Sequence, residues 1–288
     1  MLAYVSGRII PEAQGAVSIN DRGWLYGDAV FETLRTYGGR VFKPAEHFAR
    51  LRQSAGLVGI DLPLSYEGFT EAINGLLRAE GGDDDLMVRV TVSRGAGGAG
   101  IYPLETLAPT VVVQLRAIPD YPPRTFLVGW SLVIAKTRRN DPRAIDPLIK
   151  STNFLNNVLA KKEAVEAGVN EALMLNQAGF VAESTVSNFF LVKDGRVMTP
   201  PLSDGILPGI TRETVIDLAR TGGIPVSETS LDAQAVYGCD EAFLTLTSAG
   251  IVPVVEVDSR QLGAGKPGPV VAGLRSLYDE HVEAWKRS

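Results

Sequence analysis

The chain has 288 residues, of which 45% are hydrophobic and 21% charged, and a formal net charge of −5. That length suffices for one large domain or two modest ones with ample core, and the acidic balance, lacking any clustered basic excess, excludes a nucleic-acid-binding face. A single cysteine, Cys239, excludes an intrachain disulfide and a thiolate cluster, and two distant histidines, His47 and His281, offer no ligand set for a metal.

In chain order, the N-terminus shows no basic run leading into a long apolar one, and no apolar run is long enough to cross a bilayer. A cytoplasmic protein without a membrane partner is expected. Phe48, Leu51, Ala55 and Val58 follow helical spacing, which predicts an amphipathic helix over 45–57. Over 86–92 the pattern switches to period two, with Val88, Val90 and Val92 on one face and Met87, Arg89 and Thr91 on the other. That strand runs into a glycine-rich loop over 93–100. A further strand is predicted over 110–115, where Val111, Val112 and Val113 suit a sheet buried on both faces.

The stretch 118–124 holds Pro119, Pro122 and Pro123, which fit neither a helix nor an inner strand. The domain boundary is expected there, with a smaller N-terminal α/β domain over 1–120, a linker over 121–128 and a larger C-terminal α/β domain over 129–288. Downstream, strands over 171–175 and 189–192 alternate with helices over 154–167 and 211–220. Lys193-Asp194-Gly195-Arg196 reads as a hairpin turn, and Arg138-Arg139 as a solvated loop pair.

Three of these segments carry chemistry. Lys150 follows apolar Leu148 and Ile149 just ahead of a helix, where burial can depress an amine's pKa as imine formation requires. Glu183 lies between apolar Val181 and Ala182 and a small-polar run, as expected of a buried but paired acid. Gly209-Ile210-Thr211 leads into an apolar-faced helix whose start can receive a phosphate. Thr247 adds a hydroxyl at the end of a strand. An imine-forming amine, a carboxylate for a pyridine nitrogen and a phosphate-ready helix start are what pyridoxal 5'-phosphate demands of a protein.

The ordered set is longer than these three. It begins with Asp21-Arg22-Gly23, Tyr26-Gly27-Asp28-Ala29-Val30-Phe31-Glu32-Thr33 and His47-Phe48-Ala49-Arg50-Leu51. It continues through Lys150, the run from Asn153 to Lys161, Glu183 with Ser187-Asn188-Phe189-Phe190, and Gly205-Ile206-Leu207-Pro208-Gly209-Ile210-Thr211-Arg212. Spanning nearly the whole chain, it resembles the class IV aminotransferases, the fold-type IV pyridoxal phosphate enzymes. The resemblance implies a mixed α/β (α+β) fold of two α/β domains, the larger a pseudo-barrel, with the active site in the cleft between them. It implies that Lys150 bonds the cofactor and shuttles the proton, and that Glu183 pairs with the ring nitrogen. Arg50, the Ile210 and Thr211 backbone groups and Thr247 would bind the phosphate. Tyr26, Phe31 and Arg89 would line the substrate pocket, and the turn at Ser248 and Ala249 would hold a substrate carboxylate. It further implies amino acid and keto acid substrates, no metal, and a homodimer or higher homo-oligomer in which the glycine-rich loop ending near Tyr102 approaches the neighbour's pocket.

Two positions depart from the branched-chain members of that family. Phe154 stands where they usually carry tyrosine, and Ser187 precedes Asn188 where they often have a glycine-acid pair. Arg138-Arg139-Asn140, Asp146-Pro147 and the run from Asn153 to Lys161 are most similar to the branched-chain transaminases. The glycine-rich loop looks more like aminodeoxychorismate lyase, but Ala99 stands where the lyase has arginine. A transaminase of hydrophobic amino acids is therefore expected, with the lyase and the D-amino acid transaminase as alternatives and substrate handedness open.

Overall fold

The computed structural model describes residues 1–82, 85–102 and 106–287. The chain divides into two compact units, Met1–Pro119 with Ile149–Asn153, and Asp120–Leu148 with Phe154–Ser288. The short segment carrying Lys150 thus belongs with the N-terminal part, not with the C-terminal domain as expected. The reason is hydrogen bonding: the Phe31 amide donates to the Lys150 carbonyl at 2.8 Å and the Thr152 amide to the Ala29 carbonyl at 2.9 Å. These bonds lay 149–153 alongside the start of a strand more than a hundred residues earlier.

The first unit contains β1 (Leu2–Val5), β2 (Arg8–Pro11), α1 (Arg22–Tyr26), β3 (Ala29–Tyr37), β4 (Arg40–Val41), α2 (Pro44–Leu57), α3 (Tyr66–Glu80), β5 (Leu86–Ser93) and β6 (Thr110–Ala117). The strands form one antiparallel sheet in the order β2-β1-β6-β5-β3-β4. Helices α2 and α3 supply Leu51, Ala55, Phe69, Ile73 and Leu76 to a core shared with Val30, Leu34, Val88, Val90, Val92, Val111 and Val113. Burial alternates along β6, with Val111 and Val113 buried and Val112 only half-buried. The expectation of a strand buried on both faces is therefore corrected: the helices cover one face only, the usual arrangement for an antiparallel sheet.

The second unit contains α4 (Arg124–Val128), β7 (Trp130–Ile134), α5 (Leu155–Glu166), β8 (Glu171–Leu175), β9 (Val181–Ser184), β10 (Asn188–Lys193), β11 (Arg196–Thr199), α6 (Ile210–Thr221), β12 (Val226–Glu228), α7 (Ala233–Tyr237), β13 (Glu241–Leu246), β14 (Gly250–Val257), β15 (Arg260–Gln261) and α8 (Pro269–Arg287). Part of the expected linker is thus the helix α4. The sheet is nine-stranded, in the order β12-β11-β10-β13-β14-β7-β8-β9, with β15 on β14. Four strands separate β10 from β9 in that order, yet only residues 185–187 join them. A flat sheet would hold the two about 24 Å apart at the usual strand spacing. The few residue steps between them span at most about 14 Å. The sheet must therefore curl, and the curl brings the end of β9 beside the start of β10. The β10–β11 hairpin closes as its sequence predicts, because Asp194 (φ 50°) and Gly195 (φ 71°) both take the left-handed backbone of a two-residue turn. Among the described residues no helix is long and apolar enough to cross a membrane.

Candidate active site

In the second unit, the curl of the sheet sets Glu183, at the end of β9, against Asn188, the first residue of β10. Glu183 is buried, and its neighbours offer it donors. Oε1 accepts from Arg139 Nε at 3.0 Å and lies 2.8 Å from Arg139 Nη2. Oε2 accepts from Asn188 Nδ2 at 3.1 Å and from the Leu207 amide at 3.0 Å. Taking both charges out of water is expensive, and only such dense pairing offsets the cost. The expectation that Glu183 is a buried, paired acid matches this geometry.

Its principal partner was not anticipated. Arg139 is buried, not solvated, and is fixed at both ends. Its amide donates to the Leu175 carbonyl at 2.9 Å, and Nη1 reaches Asn157 Oδ1 at 3.5 Å. Asn157 in turn donates to the Thr185 carbonyl at 2.7 Å, locking α5 to the turn that follows Glu183. Nothing local in Arg138-Arg139-Asn140 distinguishes the buried arginine from the solvated one, because the partner lies forty-four residues on.

Two residues beyond Leu207, Gly209 stands at the N-cap of helix α6. A Cβ at position 209 would stand 1.9 Å from Asn188 Oδ1, so the residue that donates to Glu183 also packs against the helix start and requires glycine there. Gly209 at the N-cap supplies no side-chain cap to α6, although Ile210 and Thr211 are buried. A buried helix start with uncapped N–H groups, carrying the positive end of the helix dipole, is poised for an anion. Close by in the sheet, Thr245 pairs with Asn188, and Thr245 Oγ1 and Ser187 Oγ are buried with no hydrogen-bond partner among the described residues. Thr247, Ser248 and Ala249 form the half-buried turn between β13 and β14. Tyr121, expected in the linker, meets Ser248 Oγ through its hydroxyl at 2.8 Å.

The first unit holds the other expected residues. Lys150 is half-buried, less than its apolar neighbours suggested. Its backbone is fixed by the bond to Phe31 and by donation from its amide to Ser54 Oγ at 3.1 Å. Its Nζ lies 4.7 Å from the centre of the Phe31 ring, and the Arg89 guanidinium lies 3.8 Å from the same ring. Arg89 has no carboxylate within ion-pair reach among the described residues, and burial followed by the charge of Arg116 lowers its pKa below the ordinary 12.5. Tyr26 is exposed at the end of α1, with the Arg22 guanidinium 4.8 Å from its ring centre.

Arg50, on α2, is buried against Glu32 on β3: Nε donates to Oε1 at 2.6 Å and Nη2 to Oε2 at 2.8 Å. His47 Nδ1 meets Oε2 at 2.7 Å. Burial alone would raise the Glu32 pKa, but Arg50 and His47 outweigh it and hold the carboxyl well below the usual range. For His47, burial prevails and lowers the pKa from 6.5, with Glu32 offsetting it in part. The sequence did carry a signal here. Glu32 stands on the inward period-two stripe of β3 between Val30 and Leu34, and His47 and Arg50 share a helix face.

Comparison with known proteins adds the family. The sequence profile described as amino-transferase class IV matches residues 29–257. A Methanocaldococcus jannaschii protein provisionally named a branched-chain-amino-acid aminotransferase is 40% identical over 99% of this chain and 98% of its own. A D-alanine aminotransferase of Bacillus licheniformis is 34% identical, covering 98% of this chain and 97% of its own. The branched-chain amino acid aminotransferase of Thermobaculum terrenum, solved in its PLP-bound holo form, superimposes with a TM-score of 0.89 at 31% identity, over 98% of this chain and 93% of that one.

Proposed function

The chain belongs to the class IV aminotransferases, and from that membership we propose that it moves an amino group between a hydrophobic, branched-chain-like amino acid and a 2-keto acid such as 2-oxoglutarate, using pyridoxal 5'-phosphate. One observation supports the cofactor above the others. Within a single unit, a buried carboxylate and a buried, side-chain-uncapped helix start are separated by residues 207–209 alone. Glu183 suits the ring nitrogen, the amides of Ile210 and Thr211 suit the phosphate, and the unpartnered hydroxyls of Ser187 and Thr245 leave polar groups for a ligand to satisfy.

When bound, pyridoxal phosphate supplies an electron-withdrawing ring that stabilises negative charge at the substrate α-carbon. Lys150 provides the amine that bonds the cofactor and then carries the proton to and from that carbon. Glu183 keeps a proton on the ring nitrogen through its negative charge. Arg50, Ile210, Thr211 and Thr247 hold the phosphate. The backbone at Ser248 and Ala249 holds the substrate carboxylate. Phe31 and Tyr26 present apolar walls to a hydrophobic side chain. Arg89, a half-buried cation without a carboxylate partner among the described residues, accepts the second carboxylate of a dicarboxylic keto acid.

The test is a panel of L- and D-amino acids in the half-reaction, followed by turnover with and without 2-oxoglutarate. We expect branched-chain L-amino acids to react fastest and keto acid to accumulate only when the acceptor is present. Faster reaction of D-alanine would favour the second reading, a D-amino acid transaminase, which the Bacillus licheniformis relative supports. Pyruvate and p-aminobenzoate released from added aminodeoxychorismate, with no acceptor present, would mark the lyase instead.

We also propose a homodimer. Trp24, Ile101 and Tyr102 are 77%, 80% and 67% exposed in the first unit, large apolar side chains that a partner subunit would cover. Arg22 holds the end of the glycine-rich loop by donating to the carbonyls of Gly100 and Ile101, so these residues are presented on a fixed backbone. Sedimentation of a fully active monomer would refute the dimer.

A further inference from the structure

We propose that Glu32 is a positioning residue for the cofactor phosphate: together with His47 it fixes the Arg50 guanidinium in the orientation from which Arg50 binds. The inference rests on the assignment of Arg50 to the phosphate made above.

Glu32 is fully buried on the core face of β3, a place where Val30 and Leu34 mark an apolar requirement. A carboxylate there is costly unless each oxygen is paired, and this one is. Arg50 approaches side-on, using its Nε and Nη2 edge against the two oxygens. Such a fork fixes the guanidinium plane as well as its place, and turns the Nη1 edge away from Glu32. His47 completes the frame. Its Nδ1 holds Oε2, and burial keeps its ring neutral near neutral pH, so it steers the carboxylate without adding a charge. An arginine stem has several rotatable bonds, and ordering it at the moment of binding would cost affinity. The frame removes that cost beforehand.

Charge and position make opposite demands, which makes the inference testable. Glu32 is negative and so is the phosphate. If the field of Glu32 mattered most, Glu32→Gln would tighten binding; if its geometry matters most, the same change loosens binding. We expect the dissociation constant of pyridoxal 5'-phosphate, followed by absorbance, to rise about tenfold in Glu32→Gln, the loss of one preorganised side chain and its hydrogen bonds. Pyridoxal, which lacks the phosphate, should bind within about twofold of wild type, since nothing it touches has moved. In an Arg50→Met background, Glu32→Gln should add no further loss. His47→Leu, which keeps Glu32 and Arg50, should give a smaller loss of the same phosphate-selective kind, and His47→Asn, which restores a donor, should recover it. These two variants carry the test if Glu32→Gln does not fold.

Tighter binding of pyridoxal phosphate by Glu32→Gln would overturn the proposal. Equal loss for pyridoxal and pyridoxal phosphate would also overturn it, by making Glu32 a residue of the fold alone. Arg50→Met binding pyridoxal phosphate as well as wild type does would overturn the phosphate assignment itself. That result is distinct, because it appears in the single Arg50 variant before Glu32 is touched.

Discussion

Replacing Lys150 with alanine is expected to abolish turnover and covalent attachment of the cofactor while leaving the fold intact. The backbone of Lys150 makes the structural contacts: its carbonyl accepts from Phe31 and its amide donates to Ser54 Oγ. Alanine keeps both. The side chain is half-buried, so its removal opens no large cavity and should leave the thermal unfolding temperature close to that of wild type. The chemistry has no substitute, because no other amine in the proposed site can both bond the cofactor and carry the proton. Losing a general acid–base group costs about two to four orders of magnitude in rate, and losing the covalent anchor adds to that. Two measurements check this: single-turnover rates, and the mass of the protein after borohydride reduction in the presence of pyridoxal phosphate. A variant that turns over within about tenfold of wild type, or still gains the cofactor's mass at its active site, would remove Lys150 from the mechanism.

Much of the fold was legible where a segment's own pattern decided its fate. The alternation at Val88, Val90 and Val92 marks β5, and the structure extends it by one residue to Ser93. The apolar spacing of Phe48, Leu51 and Ala55 marks α2, and Asp194-Gly195 closes the turn its residue types demand. Glu183 was legible as a paired acid because apolar residues precede it on a short strand.

What escaped the sequence was decided by distant partners. The 149–153 segment looked like the lead-in to α5, since Phe154 and Leu155 follow it directly, yet its hydrogen bonds tie it to β3. Arg139 looked like a solvated loop residue because its carboxylate lies across the curl of a sheet whose strand order no local pattern encodes. Glu32 and His47 sat within recognisable motifs, but their common purpose appears only when β3 and α2 are packed face to face. Arg139, Glu32 and His47 are polar residues buried by virtue of their partners. Composition and periodicity detect apolar burial well, whereas charge burial depends on geometry between elements.

Glu183→Gln is expected to slow the half-reaction by about two to three orders of magnitude, the usual cost of removing one fixed charge from the reacting centre. A neutral amide no longer raises the proton affinity of the ring nitrogen, so negative charge developing at the substrate α-carbon loses its stabilisation. The structure adds a second consequence. Oε1 accepts from Arg139, and Oε2 accepts from Asn188 and Leu207, so both oxygens already face donors. Wherever glutamine places its NH2, donor meets donor, and Arg139 keeps a buried charge with no carboxylate against it. Stability should therefore fall by about 1–3 kcal/mol, read as a lower urea midpoint. Cofactor should stay bound, because Arg50, Thr211 and Thr247 are expected to hold the phosphate without help from Glu183. Rate and occupancy must be measured on the same sample, by stopped-flow absorbance and by phosphate-ester content after denaturation. If the variant instead loses cofactor while the retained fraction reacts at the wild-type rate, Glu183 serves the fold alone and the ring nitrogen lies elsewhere.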